Sequence, residues 1–290
     1  MMNKGQPSRT ALMSAAARAA HLLVDGTPSI FVDPLAQTFL GDRAEELLGY
    51  HRAYGGHPVL SGARTTAVTR SRYTEDRLAE LADRGVDQYV ILGAGLDSFA
   101  FRSELAYDVR VFEVDKPTTQ DWKRALLVET GTTVPPSASF VPVDFEKESA
   151  RSLTGHLARA GFDPGRPALV SWLGVTMYLT SEAIRQTLAV IGGFAPGTEL
   201  IVEHILPAGL RDEAGQSYAE GVMAAAAEQG EPWRTFLSVE QMDALLLEHR
   251  LQPTEYARQR ETIDPAEWER FDMLRPFELS VLARASVPTR

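Results

Sequence analysis

The sequence predicts an α/β fold built on a parallel sheet covered by helices. Three observations predict it. Short β-rich runs alternate with helical stretches after Gly85, the runs are almost continuously apolar, and the first of them ends directly in a glycine turn. Strands that are apolar at every position are buried on both faces, which parallel strands with helical crossovers achieve.

The elements follow in order. Residues 8–50 have helical spacing, with Ala11, Ala15, Ala19 and Leu22 on one side. A turn at "DGTPS" follows, and "DPLAQTFLG" starts a second helix at Asp33-Pro34. Residues 1–64 read as a helical N-terminal cap, and 65–290 as the core. The glycine-rich "HRAYGGHPVLSG" reads as a loop before a long helix from about Thr65 to Arg84. The runs "QYVILG", "VRVFEVD", "SFVPVDF", "ALVSWLG" and "ELIVEHIL" then read as five strands, separated by helices such as "TTQDWKRALLVE" and "SEAIRQTLAVIGGF". "QPTEYARQ" and "FELSVLARA" read as two final strands, giving a seven-stranded sheet closed by an antiparallel hairpin. Between residues 207 and 237 the chain is helical and longer than a normal crossover, which suggests a lid inserted over the site. "WERFDMLRPFE" reads as a solvated helix face rather than a nucleic-acid platform.

Composition narrows the function. At 290 residues and 44% hydrophobic, the chain can bury the core of one large domain. Its 39 acidic and 29 basic residues give a net charge of -10, which disfavours nucleic acid or an anionic membrane as the main partner and favours a small molecule. The absence of cysteine excludes disulfides, thiolate metal sites and cysteine nucleophiles. "ALMSAAARAAHLL" is broken by Arg18 and His21 and reads as an amphipathic helix rather than a signal peptide. No apolar run approaches the ~20 residues of a membrane helix, so a soluble, cytoplasmic protein is expected.

The chemistry concentrates at strand ends, where open parallel sheets bind ligands. Gly93 and Gly95 allow a sharp turn and close approach of the backbone to a ligand. Asp115 ends the second strand at the spacing where an acidic residue meets ribose hydroxyls. Glu113 points to the same side, so one of the two is open to a structural role. Nicotinamide cofactors and S-adenosylmethionine both use this pattern. The second is favoured because Ser98 stands where the dinucleotide fingerprint has its third glycine or alanine. Asp144 followed by Phe145 at the third strand end also suits an adenine, by hydrogen bonding and ring packing.

"VILGAGLDSFAFR", "VFEVDKPTTQDWKRALL", "WLGVTMYLT", "SRTALMSAAARAA" and "DPLA" together resemble the leucine carboxyl methyltransferase family, over about residues 8–205. The bacterial branch of polyketide-type O-methyltransferases is the part it resembles most. The resemblance implies a class I methyltransferase, Rossmann-like fold with S-adenosylmethionine as cofactor. It also implies that Gly93 and Gly95 face the cofactor, Asp115 holds its ribose, and Asp144 with Phe145 holds its adenine. An arginine in "TRSRYTED", Arg70 with Arg64 and Arg72 nearby, is implied to bind the cofactor's carboxylate. The family's phosphatase methylases carry a glutamate where Leu173 stands, so a phosphatase tail is not the expected acceptor, and Tyr178 becomes the polar candidate on that wall.

The expected reaction is O-methylation of a carboxylate or hydroxyl on a small metabolite; the resemblance implies a polyketide-type secondary product. A carboxylate needs no base; a hydroxyl does, and His204 at the end of the fifth strand is the candidate. Tyr218, Met223 and Trp233 are candidate lid linings. No metal-ligand spacing is present. The rival readings are an NAD(P)-dependent oxidoreductase and a non-catalytic cofactor-binding protein.

Overall fold

The computed structural model describes residues 8–147 and 150–289. Its sheet has seven strands: β1 Gln88–Leu92, β2 Arg110–Asp115, β3 Ala138–Pro142, β4 Leu169–Trp172, β5 Glu199–Ile205, β6 Gln252–Arg258 and β7 Ser280–Ser286. The spatial order is β3-β2-β1-β4-β5-β7-β6. Strands β1 to β5 are parallel, and β7 runs antiparallel between β5 and β6. The order reverses between β1 and β4, which places a crevice beyond their carboxyl ends.

The helices are α1 Arg9–Val24, α2 Ala44–Tyr54, α3 Pro58–Ala82, α4 Phe99–Arg102, α5 Pro117–Glu129, α6 Ala150–Arg159, α7 Ser181–Ile191, α8 Glu213–Glu228, α9 Val239–Glu248 and α10 Pro265–Trp268. Alternate residues of each strand feed two cores. Val90, Leu92, Val170 and Trp172 meet Leu157, Ile184, Leu188 and Leu246 on one face. Tyr89, Ile91 and Val111 meet Leu78, Leu81 and Phe99 on the other. Strands with burial on both faces read as apolar throughout, which is why the sequence showed runs rather than alternation.

Four expectations are corrected. The long helix starts at Pro58, not near Thr65, and "HRAYGG" is largely the end of α2. Proline suits the first helical position, and the His57 side chain accepts a hydrogen bond from the Val59 N–H to cap it. The lid stretch is not continuously helical, because residues 229–238 run without helix between α8 and α9. "WERFDMLRPFE" is mostly non-helical, and its Phe271, Leu274 and Phe277 are buried. "DPLAQTFLG" forms turns and a 3-10 helix, with the regular helix α2 beginning only at Ala44.

Buried charges bind α1 to α3 and to the loop after β1. Arg64 clasps both carboxylate oxygens of Asp25 at 2.7 and 2.8 Å. His21 completes the cluster: its Nε2 accepts from the Ile30 N–H at 3.0 Å, so Nδ1 carries the proton and donates to Asp25. Arg18 pairs with Asp33 at 2.8 Å and donates to the Leu96 carbonyl at 2.7 Å, reaching from α1 into the loop after β1. Among the described residues, no helix is long and apolar enough to cross a membrane.

Candidate active site

The loop after β1 is built by the main chain. Gly93 and Gly95 have φ values of 71° and 50°, a region that side-chain-bearing residues rarely adopt. A Cβ on Gly93 would lie 2.3 Å from a methyl of Val175, so the loop and the segment after β4 approach closely there. The Gly93 and Ala94 N–H groups donate to the Val114 carbonyl at 2.7 and 3.1 Å, seating the loop on β2.

Asp115 stands at the junction. It accepts from the Gly95 N–H at 2.6 Å on one oxygen and from the Lys116 N–H at 2.6 Å on the other. The Thr119 side chain donates to it as well, and since a carboxylate has about four acceptor positions, Asp115 keeps capacity for a ligand hydroxyl. Burial raises its pKa, opposed by those two backbone donors. Glu113 has the structural role that the sequence left open. It is buried and receives Lys123 Nζ at 2.6 Å, while the same ammonium donates to the Asp97 carbonyl at 2.6 Å and so props the glycine loop from behind. Burial pushes the Glu113 carboxyl up to about 7, against the pull of Lys123.

Asp144 lies just past β3 and pairs with Lys147 at 2.8 Å. Phe145 is buried and packs on Trp172 with ring centroids 6.1 Å apart.

The three neighbouring arginines separate cleanly. Arg64 is spent on Asp25, Arg72 bonds Asp76 on the surface, and Arg70 reaches the ends of the strands. Its Nη1 donates to Glu203 at 2.7 Å and its Nη2 to the Ser14 hydroxyl at 3.2 Å. A guanidinium has five N–H donors, so Arg70 retains donors for a carboxylate. These groups fit the implied cofactor: a carboxylate for ribose, a glycine cradle with no room for Cβ, and a guanidinium with spare N–H groups.

The wall expected to line the acceptor differs in chemistry. Tyr178 follows the Gly174 turn, and Trp233 lies toward its hydroxyl, with Trp233 Nε1–H buried and unbonded. Burial raises the Tyr178 pKa, so its hydroxyl remains a donor. Tyr218 stacks beside Phe277 at 5.3 Å and joins Met177, Met223 and Phe236 in one apolar cluster. The segment after α8 is clipped by main-chain bonds: Arg234 and Thr235 N–H to the Met177 carbonyl, and Leu237 N–H to the Ile205 carbonyl. His204 belongs to this clip, its Nδ1 donating to the Leu237 carbonyl at 2.9 Å. That bond leaves Nε2 as a bare acceptor, buried without a partner. Burial lowers the His204 pKa to about 4.

Sequence reasoning missed Ser14, Gly174 and Glu203, which converge on Arg70. The available signal was Glu203 itself, an acid inside the apolar run "LIVEHIL", since a buried charge requires a partner.

Residues 11–192 match the family model described as leucine carboxyl methyltransferase. The chain belongs to the leucine carboxyl methyltransferase family. It is a methyltransferase whose methyl donor is S-adenosylmethionine, on the class I Rossmann-like fold. Similar family relatives include a Bacillus subtilis protein named as a candidate S-adenosyl-L-methionine-dependent methyltransferase, YktD, 30% identical over 84% of this chain and 86% of its own length. A Mycobacterium tuberculosis protein with the same kind of name is 33% identical over 79% of this chain and 70% of its own. Among solved structures, a candidate methyltransferase from Thermobifida fusca superposes with a TM-score of 0.63 at 20% identity, covering 99% of this chain and 97% of that one. A DUF574 protein from Streptomyces avermitilis gives 0.60 at 17% identity, covering 94% and 97%. These two likenesses bear on the fold, and the family match bears on the chemistry.

Proposed function

We propose that this methyltransferase esterifies a carboxylate on an apolar small molecule, in the cytoplasm and without a nucleic-acid or membrane partner. S-adenosylmethionine supplies a methyl group on a sulfonium. Gly93 and Gly95 receive the donor, Asp115 takes the ribose hydroxyls, Asp144 beside Phe145 takes the adenine, and Arg70 takes the carboxylate of the amino-acid end.

The observation that carries the acceptor assignment is that the far wall offers hydrogen-bond donors and only a weak base. The Tyr178 hydroxyl and Trp233 Nε1–H suit carboxylate oxygens, while burial lowers the His204 pKa to about 4, which makes its free Nε2 a poor proton acceptor. Attack by a carboxylate oxygen forms an O–C bond as the C–S bond breaks onto sulfur, and no proton moves. The residues therefore contribute orientation, which can supply several kcal/mol. Tyr218, Met223 and Trp233 shape an acceptor of apolar, aromatic-compatible character, such as a secondary metabolite of polyketide type. The unpartnered His204 Nε2 favours a second reading, a hydroxyl acceptor whose proton bonds to that nitrogen.

Labelled methyl transfer to a panel of aromatic carboxylic acids and matched phenols separates the two. A product that releases methanol in mild base, with turnover kept in His204→Gln, is expected. A base-stable ether lost in His204→Gln would establish the second reading.

A further inference from the structure

The side chain nearest to a buried paradox is Glu203, an acid at 1% exposure in the middle of the apolar strand β5. Every bond it makes points to one task. Its Oε2 accepts from Arg70 Nη1 at 2.7 Å and from the Gly174 N–H at 2.8 Å, and its Oε1 accepts from the Ser280 hydroxyl on β7 at 2.9 Å. Two strands and the turn after β4 thus hold one carboxylate still, and the carboxylate holds one guanidinium.

Gly174 adds an independent mark. Its φ is 69°, and a Cβ there would lie 2.7 Å from Arg70 Nη1 and 2.9 Å from Nη2. The guanidinium occupies the volume that any other residue at 174 would fill. On the opposite side the Ser14 hydroxyl accepts from Arg70 Nη2 at 3.2 Å and from Arg18 Nη1 at 3.3 Å, closing the pocket from α1. Arg70 would otherwise be a long side chain with considerable rotamer entropy to lose. Held this way, it meets a ligand with its orientation already set.

We propose that Glu203 is the positioning residue for the donor's amino-acid end, fixing the Arg70 guanidinium so that its remaining N–H donors face the ligand carboxylate. The inference rests on the reading of Arg70 as the carboxylate partner. Glu203 itself does not touch the donor.

The test is calorimetric titration of the whole protein with two ligands: S-adenosylhomocysteine, which carries the amino-acid carboxylate, and 5′-methylthioadenosine, which keeps the nucleoside and thioether without it. Glu203→Ala is expected to weaken S-adenosylhomocysteine ~10-fold or more and to leave 5′-methylthioadenosine within ~2-fold. Glu203→Gln keeps an oxygen for Arg70 and Gly174, so it should fall between the two and recover part of the loss. If Glu203→Ala does not fold, Glu203→Gln with Ser280→Ala carries the same selective pattern. In an Arg70→Ala background the Glu203 substitutions should have no further effect on S-adenosylhomocysteine. Unchanged S-adenosylhomocysteine affinity in the Glu203 variants, or equal loss for both ligands, overturns the inference. If Arg70→Ala also leaves S-adenosylhomocysteine binding intact, the underlying assignment of Arg70 fails as well; if Arg70→Ala weakens it and Glu203→Ala does not, only the positioning role fails.

Discussion

The proposed donor end and the proposed acceptor end of this site are made from different materials. Around Gly93, Gly95 and Asp115 the main chain does most of the work, through positive φ values, N–H groups and one carboxylate at a strand end. Around Tyr178, His204 and Trp233 the walls are side chains from the segment after β4, from β5, from α8 and from the loop after it. A surface built from backbone tolerates little change, because its shape depends on dihedral angles that few residues adopt. A surface built from side chains can be re-lined one residue at a time, so one donor site can serve many acceptors.

The strongest way to break this contrast is Gly93→Val. A β-branched residue at a φ of 71°, with its Cβ 2.3 Å from Val175, should cost about 3 kcal/mol or more and abolish donor binding. A folded variant that binds S-adenosylhomocysteine normally by titration would remove the backbone argument.

Acid stability tests the other end. The His204 pKa is depressed from 6.5 to about 4 by burial, so the folded state resists protonation that the unfolded chain accepts. Its contribution is fully present above pH 6.5 and is lost as the pH falls toward 4. Against His204→Gln, the wild type should lose roughly 2–4 kcal/mol across that window. Paired denaturant melts at pH 7.5 and 4.5 read this directly, and a constant difference between the two proteins would show that His204 is not buried as described. The comparison has to be made by difference, because Glu113, held up at about 7, titrates with the opposite sign over the same range.

Asp115→Ala comes next in size. It removes the proposed ribose acceptor and the tie to the Gly95 N–H, and donor affinity should fall by about 1–3 kcal/mol in titrations. Unchanged affinity would place the ribose elsewhere. The smallest effect is expected for Trp233→Phe, which deletes one buried donor and keeps the ring. The acceptor KM should rise by an amount worth about 1 kcal/mol, with donor affinity unchanged. A loss of donor affinity in this variant would blur the two ends into one.

The same contrast governs what could be read from the sequence. The five parallel strands, the closing hairpin and the glycine loop were legible, because apolar runs, strand-end acids and glycines express local rules. The start of α3 was not, since Gly55 and Gly56 break the pattern while Pro58 and His57 begin a helix two residues later. Gly62 lies within that helix because the Tyr218 ring packs against it, a tertiary contact with no local trace. Arg70 could be narrowed to three arginines by resemblance, but only the packing of α3 on the sheet separates it from Arg64 and Arg72. The lid was harder still. Its residues 229–238 are held by main-chain bonds to Met177 and Ile205, and such bonds have no composition.

That clip has a consequence for altering the enzyme. Because the Arg234, Thr235 and Leu237 N–H groups dock on carbonyls, the track followed by the returning chain is set largely by the main chain, with the Thr235 hydroxyl on the Leu179 carbonyl as a side-chain tie. Exchanging residues 213–236 between family members, with the Tyr218 contact on Gly62 and the Thr235 tie kept, is therefore the change expected to re-line the proposed acceptor wall while the donor cradle stays as it is.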